Sequence, residues 1–236
     1  IDGVTAVVDS GLARIASDSP WTSLPSLRVS RVSKASANQR AGRAGRTAPG
    51  RVIRLYTVED FARRADFDKP EFHRRELSQV LLELRAMDID GMKLDWFDPP
   101  PAESWQAADR LLTRLNASGD AARRMSRLPL HPRLARLVID AEDRGVGELG
   151  CAAAAALSAG ERLEGAPRHA SSSDLLLLAE ADWAPNTRRI YDQLKRGVRS
   201  RGHDESAFSM AVLAAFPDRL AKRRQGREFV LAGGGQ

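Results

Sequence analysis

Apolar and polar positions divide the chain into a short α/β stretch followed by a long helical one. Residues 4–9, "VTAVVD", form an apolar run with a polar exit at Asp9 and Gly11, which predicts a buried strand. "RVIRLY" (51–56) predicts a second. Between them "KASANQRAGRAGR" (34–46) reads as a helix with Ser33 or Ser36 as N-cap, and "APG" then turns the chain. "TVEDFARR" (57–64) predicts a short helix capped by Thr57, with Glu59 and Asp60 in its first turn. Beyond residue 70, Leu77, Val80, Leu81, Leu84 and Met87 recur at helical spacing. "WFDPPP" (96–101) is a rigid extended stop. A second amphipathic helix, about 102–117, carries Trp105, Ala108, Leu111, Leu112 and Leu115, and a small hairpin is expected near 117–130. Further helices are predicted at about 132–143, 147–158, 172–182, 186–199 and 204–215, with Ser171, Ser172 or Ser173 capping the third. "REFVLAGGGQ" reads as a strand and a turn.

One stretch departs from this ordinary patterning. "QRAGRAGR" (39–46) packs three arginines into eight residues. At about 100° per residue, Gln39, Arg43 and Arg46 would fall at about 0°, 40° and 340°, inside one wedge of roughly 60°, while Arg40 lies off it. Gly42 and Gly45 would each cost about 1 kcal/mol against Ala within a helix. A solvated basic helix has no use for that cost. Guanidiniums beside bare backbone suit a polyphosphate.

Composition adds bounds. With 42% hydrophobic and 29% charged residues, the 236-residue chain can bury a core, or two or three small ones. The net charge of +6 suits an anionic partner such as nucleic acid without requiring one. Arginine outnumbers lysine 32 to 5, a bias that base composition can also produce. The single Cys151 excludes an internal disulfide and a cysteine metal site, and suits a reducing cytoplasm. The four histidines are scattered without metal-ligand spacing, so no metal site is expected. No membrane-length apolar run or signal peptide is evident. The first residue already lies in an apolar run and is not Met, so the chain is expected to be an internal piece of a longer protein.

"QRAGRAGR", preceded by "VSKASAN" and followed by "TAPGRVIRLYT", resembles motif VI and its surroundings in the DEAH-box helicases of superfamily 2. "IDGVTAVVDSGLAR" resembles the tail of motif V, and "LPLHPRLARLVIDA" and "AAFPDRLAKRRQGREFVLAGGG" are most similar to the bacterial HrpB branch. The resemblance implies a mainly α fold with a small α/β part. Residues 1–59 would end the second RecA-like domain, 60–127 would be a winged helix, 128–200 a ratchet-like helical bundle, and 201–236 the start of an accessory domain. Arg43 and Arg46 would be arginine fingers, with Gln39 near the γ-phosphate and attacking water, and Asp2 would approach the ribose. Arg40 is expected to make structural or interdomain contacts, and Asp9 to be a strand-end turn residue. The implied activity is that of an ATP-dependent RNA helicase using ATP and Mg²⁺ and acting on single-stranded RNA without sequence preference. The first RecA-like domain would be its partner half: no G-x-x-x-x-G-K-[ST] occurs in the chain, so this piece alone is expected to be inactive and to hold no bound cofactor.

Two basic tracts are candidate RNA contacts: Arg188, Arg189, Lys195, Arg196, Arg199 and Arg201, and then Lys222, Arg223 and Arg224. A solvated face is the plainer account of either. The competing function is a non-catalytic, basic winged-helix module that binds nucleic acid or protein.

Overall fold

A computed structural model describes residues 3–18, 25–163, 173–223 and 229–231. The chain separates into two compact units, Ile1–Arg75 and Glu76–Gln236. As the patterning predicts, it is mainly helical with a small α/β part at the start.

In the first unit, β1 (Ala6–Asp9) pairs in parallel with β4 (Arg51–Arg54), Val7 opposite Val52. A parallel pair needs a crossover, and α1 (Lys34–Ala41) lies within it and packs on β1. The connection also holds an antiparallel hairpin that the patterning did not predict, β2 (Leu12–Asp18) with β3 (Pro25–Arg31). The strand expected to be buried is not. Val8 is 64% exposed and Ile53 57%, because no described element covers that side of the two-stranded sheet.

A buried carboxylate ties these pieces together. Asp9, only 3% exposed, accepts from Gly11 N–H (3.0 Å), Arg40 Nη1 (2.9 Å) and Tyr56 O–H (2.9 Å). Beside it, Arg64 donates through Nη1 to the carbonyls of Gly11 (2.9 Å) and Val32 (3.1 Å) and through Nη2 to Asp60 (2.6 Å). Its guanidinium stacks 4.0 Å from the Tyr56 ring. Gly11 has φ +71°, and a Cβ there would lie 2.5 Å from Arg64 Nη2, so the turn requires glycine twice over. α2 (Val58–Ala62), capped by Thr57, positions Asp60 and leads to Arg64.

The second unit is helical at its core. α3 (Ser78–Ala86) buries Leu81, Leu82 and Leu84, and α4 (Ala102–Arg114) buries Trp105, Ala108, Leu111 and Leu112. Met87 is exposed rather than part of the face. The hairpin expected near 117–130 is replaced by a helix, α5 (Gly119–Ser126), which packs on α3 through fully buried Ala122 and Met125. Alanine and methionine three residues apart are a helical signal that the turn-like "NASGD" before them obscured. Next come α6 (Pro132–Asp143), α7 (Gly147–Ala159), α8 (Asp174–Ala179), α9 (Pro185–Lys195) and α10 (Glu205–Ala215). The alanine run of α7 is buried, and a Cβ at Gly150 would lie 2.4 Å from that of Ala141, so α6 and α7 approach closely. Arg133 on α6 is buried and bonded bidentately to Asp218 (2.6 and 2.7 Å), holding the end of α10 against α6. Ser173 caps α8, and β5 (Ala221–Arg223) pairs with β6 (Phe229–Leu231), the strand expected at the end.

Asp9→Ala would leave Tyr56 O–H and Gly11 N–H without their acceptor and release a part-exposed Arg40, a loss of about 2 kcal/mol at pH 7. Burial pulls the Asp9 carboxyl up, but the bonds from Gly11, Tyr56 and Arg40 outweigh it and hold it below its ordinary 3.8. The contribution is therefore complete above about pH 4 and is lost as pH falls through the lower folded value. Urea unfolding of wild type and Asp9→Ala should show a gap at pH 7 that narrows toward pH 2.

Candidate functional site

The arginine-rich stretch is built from the C-terminal end of α1 outward. Ser33 starts the helix by accepting from Ser36 N–H (3.1 Å). Two more first-turn N–H groups are taken by a segment that follows α2: Lys34 donates to Ala65 O and Ala35 to Asp66 O, each at 2.9 Å. The helix ends at Ala41. Gly42 caps it, donating to Asn38 O (2.9 Å), and Arg43 and Ala44 then bond to Arg40 O and Ala41 O (both 3.1 Å) in tighter three-residue turns. The expected helix through residue 46 is therefore not formed, and the 100° arithmetic does not carry past Ala41. The glycines end the helix instead of lining it.

What separates the residues is their bonding. Arg40 points inward to Asp9 and Leu12 O (3.1 Å), the structural role expected for it. The side chains of Gln39, Arg43 and Arg46 are exposed and make no hydrogen bond or ion pair with the described residues. Ala44 is buried between them and anchors the turn. Gly50, just before β4, lies so close that a Cβ there would stand 2.1 Å from Ala44 O. A Cβ on Gly45 would meet nothing within 4 Å, and one on Gly42 only carbonyls at 3.6 Å. The structure thus presents one amide at the end of α1, and two uncommitted guanidiniums with open backbone on the anchored turn after it, a donor set suited to phosphate oxygens. Asp2 lies outside the described residues.

In the second unit the basic tract splits in two. Lys195 donates to Glu148 (2.6 Å), Tyr191 O–H donates to the same oxygen (2.6 Å), and Arg201 is 3.8 Å from its other oxygen. The bonds from Lys195 and Tyr191 hold the Glu148 carboxyl below its ordinary range against the pull of burial. Glu142 accepts from the backbone N–H groups of Arg199 (3.0 Å) and Ser200 (3.2 Å). Arg188 has only a 3.8 Å approach to exposed Asp182. The side chains of Arg189, Arg196 and Arg199 are exposed without an ion pair among the described residues. Lys222 is exposed on β5, which also carries Arg223; Arg224 lies outside the described residues. Glu142 and Glu148 were missed by sequence reasoning, since nothing marks an acid some 50 residues from its basic partners.

The remaining polar candidates are structural. His131 caps α6 and approaches Glu76 (3.3 Å), and His203 pairs with Glu180 (2.6 Å); His169 lies outside the described residues. Burial, helped by Glu142 and Glu148, pushes the Cys151 thiol up to about 12, which suits packing rather than nucleophilic chemistry. Among the described residues no group of three or more His, Cys, Asp or Glu could hold a metal ion.

No protein-family model matches the chain. It is 36% identical over 245 residues to the ATP-dependent RNA helicase HrpB of Escherichia coli (strain K12), covering 99% of this chain and 29% of that protein. It is 36% identical over 159 residues to the probable ATP-dependent RNA helicase DHX35 of Homo sapiens, covering 64% of this chain and 22% of that one. The Schizosaccharomyces pombe pre-mRNA-splicing factor ATP-dependent RNA helicase prp22 is 38% identical over 156 residues, which are 63% of this chain and 13% of that protein. Two crystal structures of Escherichia coli HrpB, one described as a DExH-box NTPase and one as a DEAH/RHA helicase, match with TM-scores of 0.70 and 0.72 at 34% identity. Each match covers 99% of this chain, and 29% and 30% of the respective HrpB chains. The chain thus spans less than a third of the length of these relatives.

Gly50→Ala should destabilise the first unit by about 1–3 kcal/mol, because backbone rather than a flexible side chain blocks the new methyl. Gly45→Ala should change stability by no more than about 0.5 kcal/mol. Urea titrations of both variants check the contrast, and equal losses would show that the turn is not anchored through Ala44.

Proposed function

We propose that this homologue of the HrpB and DEAH-box RNA helicases is the C-terminal portion of an ATP-dependent RNA helicase and supplies the arginine fingers for ATP hydrolysis. The observation that carries the reading is the division within "QRAGRAGR": Arg40 is consumed by Asp9, while the side chains of Gln39, at the end of α1, and of Arg43 and Arg46, on the anchored turn after it, stand exposed and unpaired among the described residues. In this reading residues 1–59 end the second RecA-like domain. The winged helix (60–127), ratchet-like bundle (128–200) and start of an accessory domain (201–236) follow; α5 stands where the expected hairpin would have been. Exposed apolar side chains on β1 and β4 fit a parallel sheet that the rest of a RecA-like domain completes, since such sheets are ordinarily covered on both faces.

ATP provides the phosphoryl group and the charge that must be stabilised. Arg43 and Arg46 would neutralise negative charge as it moves onto the leaving oxygens, and Gln39 would orient the attacking water. Open backbone at Gly42 and Gly45 lets the phosphates come close. The residues present fit the phosphate end of ATP and offer nothing for Mg²⁺, whose ligands and phosphate-binding loop the reading assigns to the first RecA-like domain. The exposed half of the basic tract, Arg189, Arg196 and Arg199, would hold RNA by its phosphates, with cytoplasmic RNA as partner. Among the described residues no helix is long and apolar enough to cross a membrane. A non-catalytic basic module accounts for the charge but not for the unpaired trio, and is not favoured.

In the full-length protein, Arg43→Ala or Arg46→Ala should lower kcat far more than it weakens ATP binding; arginine fingers are worth about 10³–10⁵-fold where measured in GTPases. Lys at either position should rescue little. Arg40→Ala should act first on stability, through Asp9, and much less on kcat once folded protein is assayed. Steady-state ATPase kinetics with parallel melting curves separate these outcomes, and equal kcat losses at all three would sink the assignment.

The RNA grip has its own signature. Each phosphate neutralised on a single strand adds about 0.7 to the slope of log K against log salt. Neutralising Arg196 and Arg199 together should flatten that slope by about 1.4 on a labelled oligonucleotide. An unchanged slope would remove these residues from the RNA path.

A further inference from the structure

We propose that the cleft between α7, α8, α9 and residues 201–203 binds one nucleotide unit, its base stacked on Trp183 and its phosphate held by Arg188 and Arg201. This rests on the reading of the chain as an RNA-binding protein, and adds to it a contact with a base, where the basic tract contacts only phosphate.

The cleft has a volume of about 380 Å³, within the usual range of about 300–1,000 Å³ for small-ligand sites. Its aromatic wall is fixed. Trp183 donates from Nε1 to Leu178 O (2.8 Å), and its ring lies 5.1 Å from that of Tyr191 at 57°. Tyr191 is held in turn by its hydroxyl bond to Glu148. Both rings are half-buried and line the cleft, so part of each is open to a ligand. A rigid indole, already tethered, loses little entropy when a base stacks on it.

The charges around this wall are unequally committed. Glu148 is engaged by Lys195 and Tyr191, and Glu180 by His203 (2.6 Å). Lys195 thus offsets the repulsion of Glu148 for an incoming phosphate, and His203, whose pKa the bond to Glu180 raises, offsets that of Glu180 when protonated. The two lining guanidiniums have no such close acid. Arg188 lies over the Trp183 ring, 5.4 Å from its centroid, with a 3.8 Å approach to fully exposed Asp182, so a base stacking on that face would displace it toward the phosphate. Arg201 is largely exposed and 3.8 Å from Glu148. Pairs this long and this exposed are worth little, so either guanidinium can turn to a phosphate at small cost. An aromatic platform flanked by two loosely held guanidiniums is the chemistry that recognises a base with its phosphate.

A single nucleotide and one unit of a strand share that chemistry, so the test on this 236-residue chain has three probes: AMP, octaadenylate RNA, and an abasic octamer of the same backbone charge. Octaadenylate should bind about 5- to 150-fold tighter than the abasic octamer, the range for one stacked base. Trp183→Leu should abolish that difference while leaving abasic binding unchanged, and Trp183→Phe should keep most of it. Arg188→Gln with Arg201→Gln, both at exposed side chains, should weaken octaadenylate and preserve the fold. Competition by AMP would identify a free nucleotide as an occupant, and its failure beside base-dependent octamer binding would identify the strand; both support the site. Equal, salt-dependent binding of the two octamers would overturn the cleft and leave the phosphate tract standing. If neither octamer binds, the RNA reading fails and the AMP arm alone decides the cleft.

Discussion

A carboxylate taken out of water must be given donors, and in the first unit meeting that demand organises nearly everything else. Asp9 ends β1, and its three donors come from the turn after it, from α1 and from the residue that follows β4 by two positions. Each bond fixes a different element relative to the strand end. Arg64 repeats the device with the opposite sign, taking carbonyls from the turn and from the end of the hairpin and a carboxylate from α2. With little apolar core available to a two-stranded sheet, polar satisfaction sets the geometry. The same demand decides which arginine of the repeated motif is structural, because only Arg40 reaches Asp9.

The parts of this legible in sequence were those whose cause is local. Ser33, Thr57 and Ser173 cap helices where their spacing to an apolar run said they would. The buried face of α4 follows its 3.6-residue period through Trp105, Ala108, Leu111 and Leu112. Asp9 with a glycine two residues on marks the strand-end turn. The failures share a cause as well: each depends on something far away in the chain. The β2–β3 hairpin has no tight-turn signal, because its strands are joined by residues 19–24, and although Ser26–Ser30 alternates, its partner LARIASD does not. "NASGD" looks like a hairpin turn, whereas it leads into a helix that packs on α3 with Ala122 and Met125 buried. No described element covers the apolar faces of β1 and β4.

The candidate site was legible as chemistry and not as geometry. Residue types at 39, 43 and 46 pointed to phosphate, and the helical wheel offered a reason that the structure does not bear out, since the helix stops at Ala41. What replaces the wheel is a stronger physical distinction. An arginine with internal partners contributes to the fold and is unavailable; an exposed one without partners is costly in entropy to order and inexpensive to redirect. Eight residues of near-repeating sequence therefore hold two kinds of arginine; the helical wheel set Arg40 apart, but by an angle that the ended helix does not keep, and it is the bond to Asp9 that separates it.

The same distinction runs through the second unit. Counting charges between residues 188 and 201 suggests one continuous basic face, yet two acids from other helices divide it. Glu148 takes Lys195, and Glu142 fixes the backbone at Arg199 and Ser200 while leaving the Arg199 side chain out. An acid that captures one lysine lowers the charge a polyanion can use. An acid that captures backbone N–H groups instead orients the neighbouring arginine without spending its charge. Glu142 and Glu148 stand six residues apart, at the end of α6 and the start of α7, and have opposite consequences for the tract they hold. The charge available to a bound strand is thus set by which donors the acids meet, which is a property of the bundle rather than of the basic tract itself.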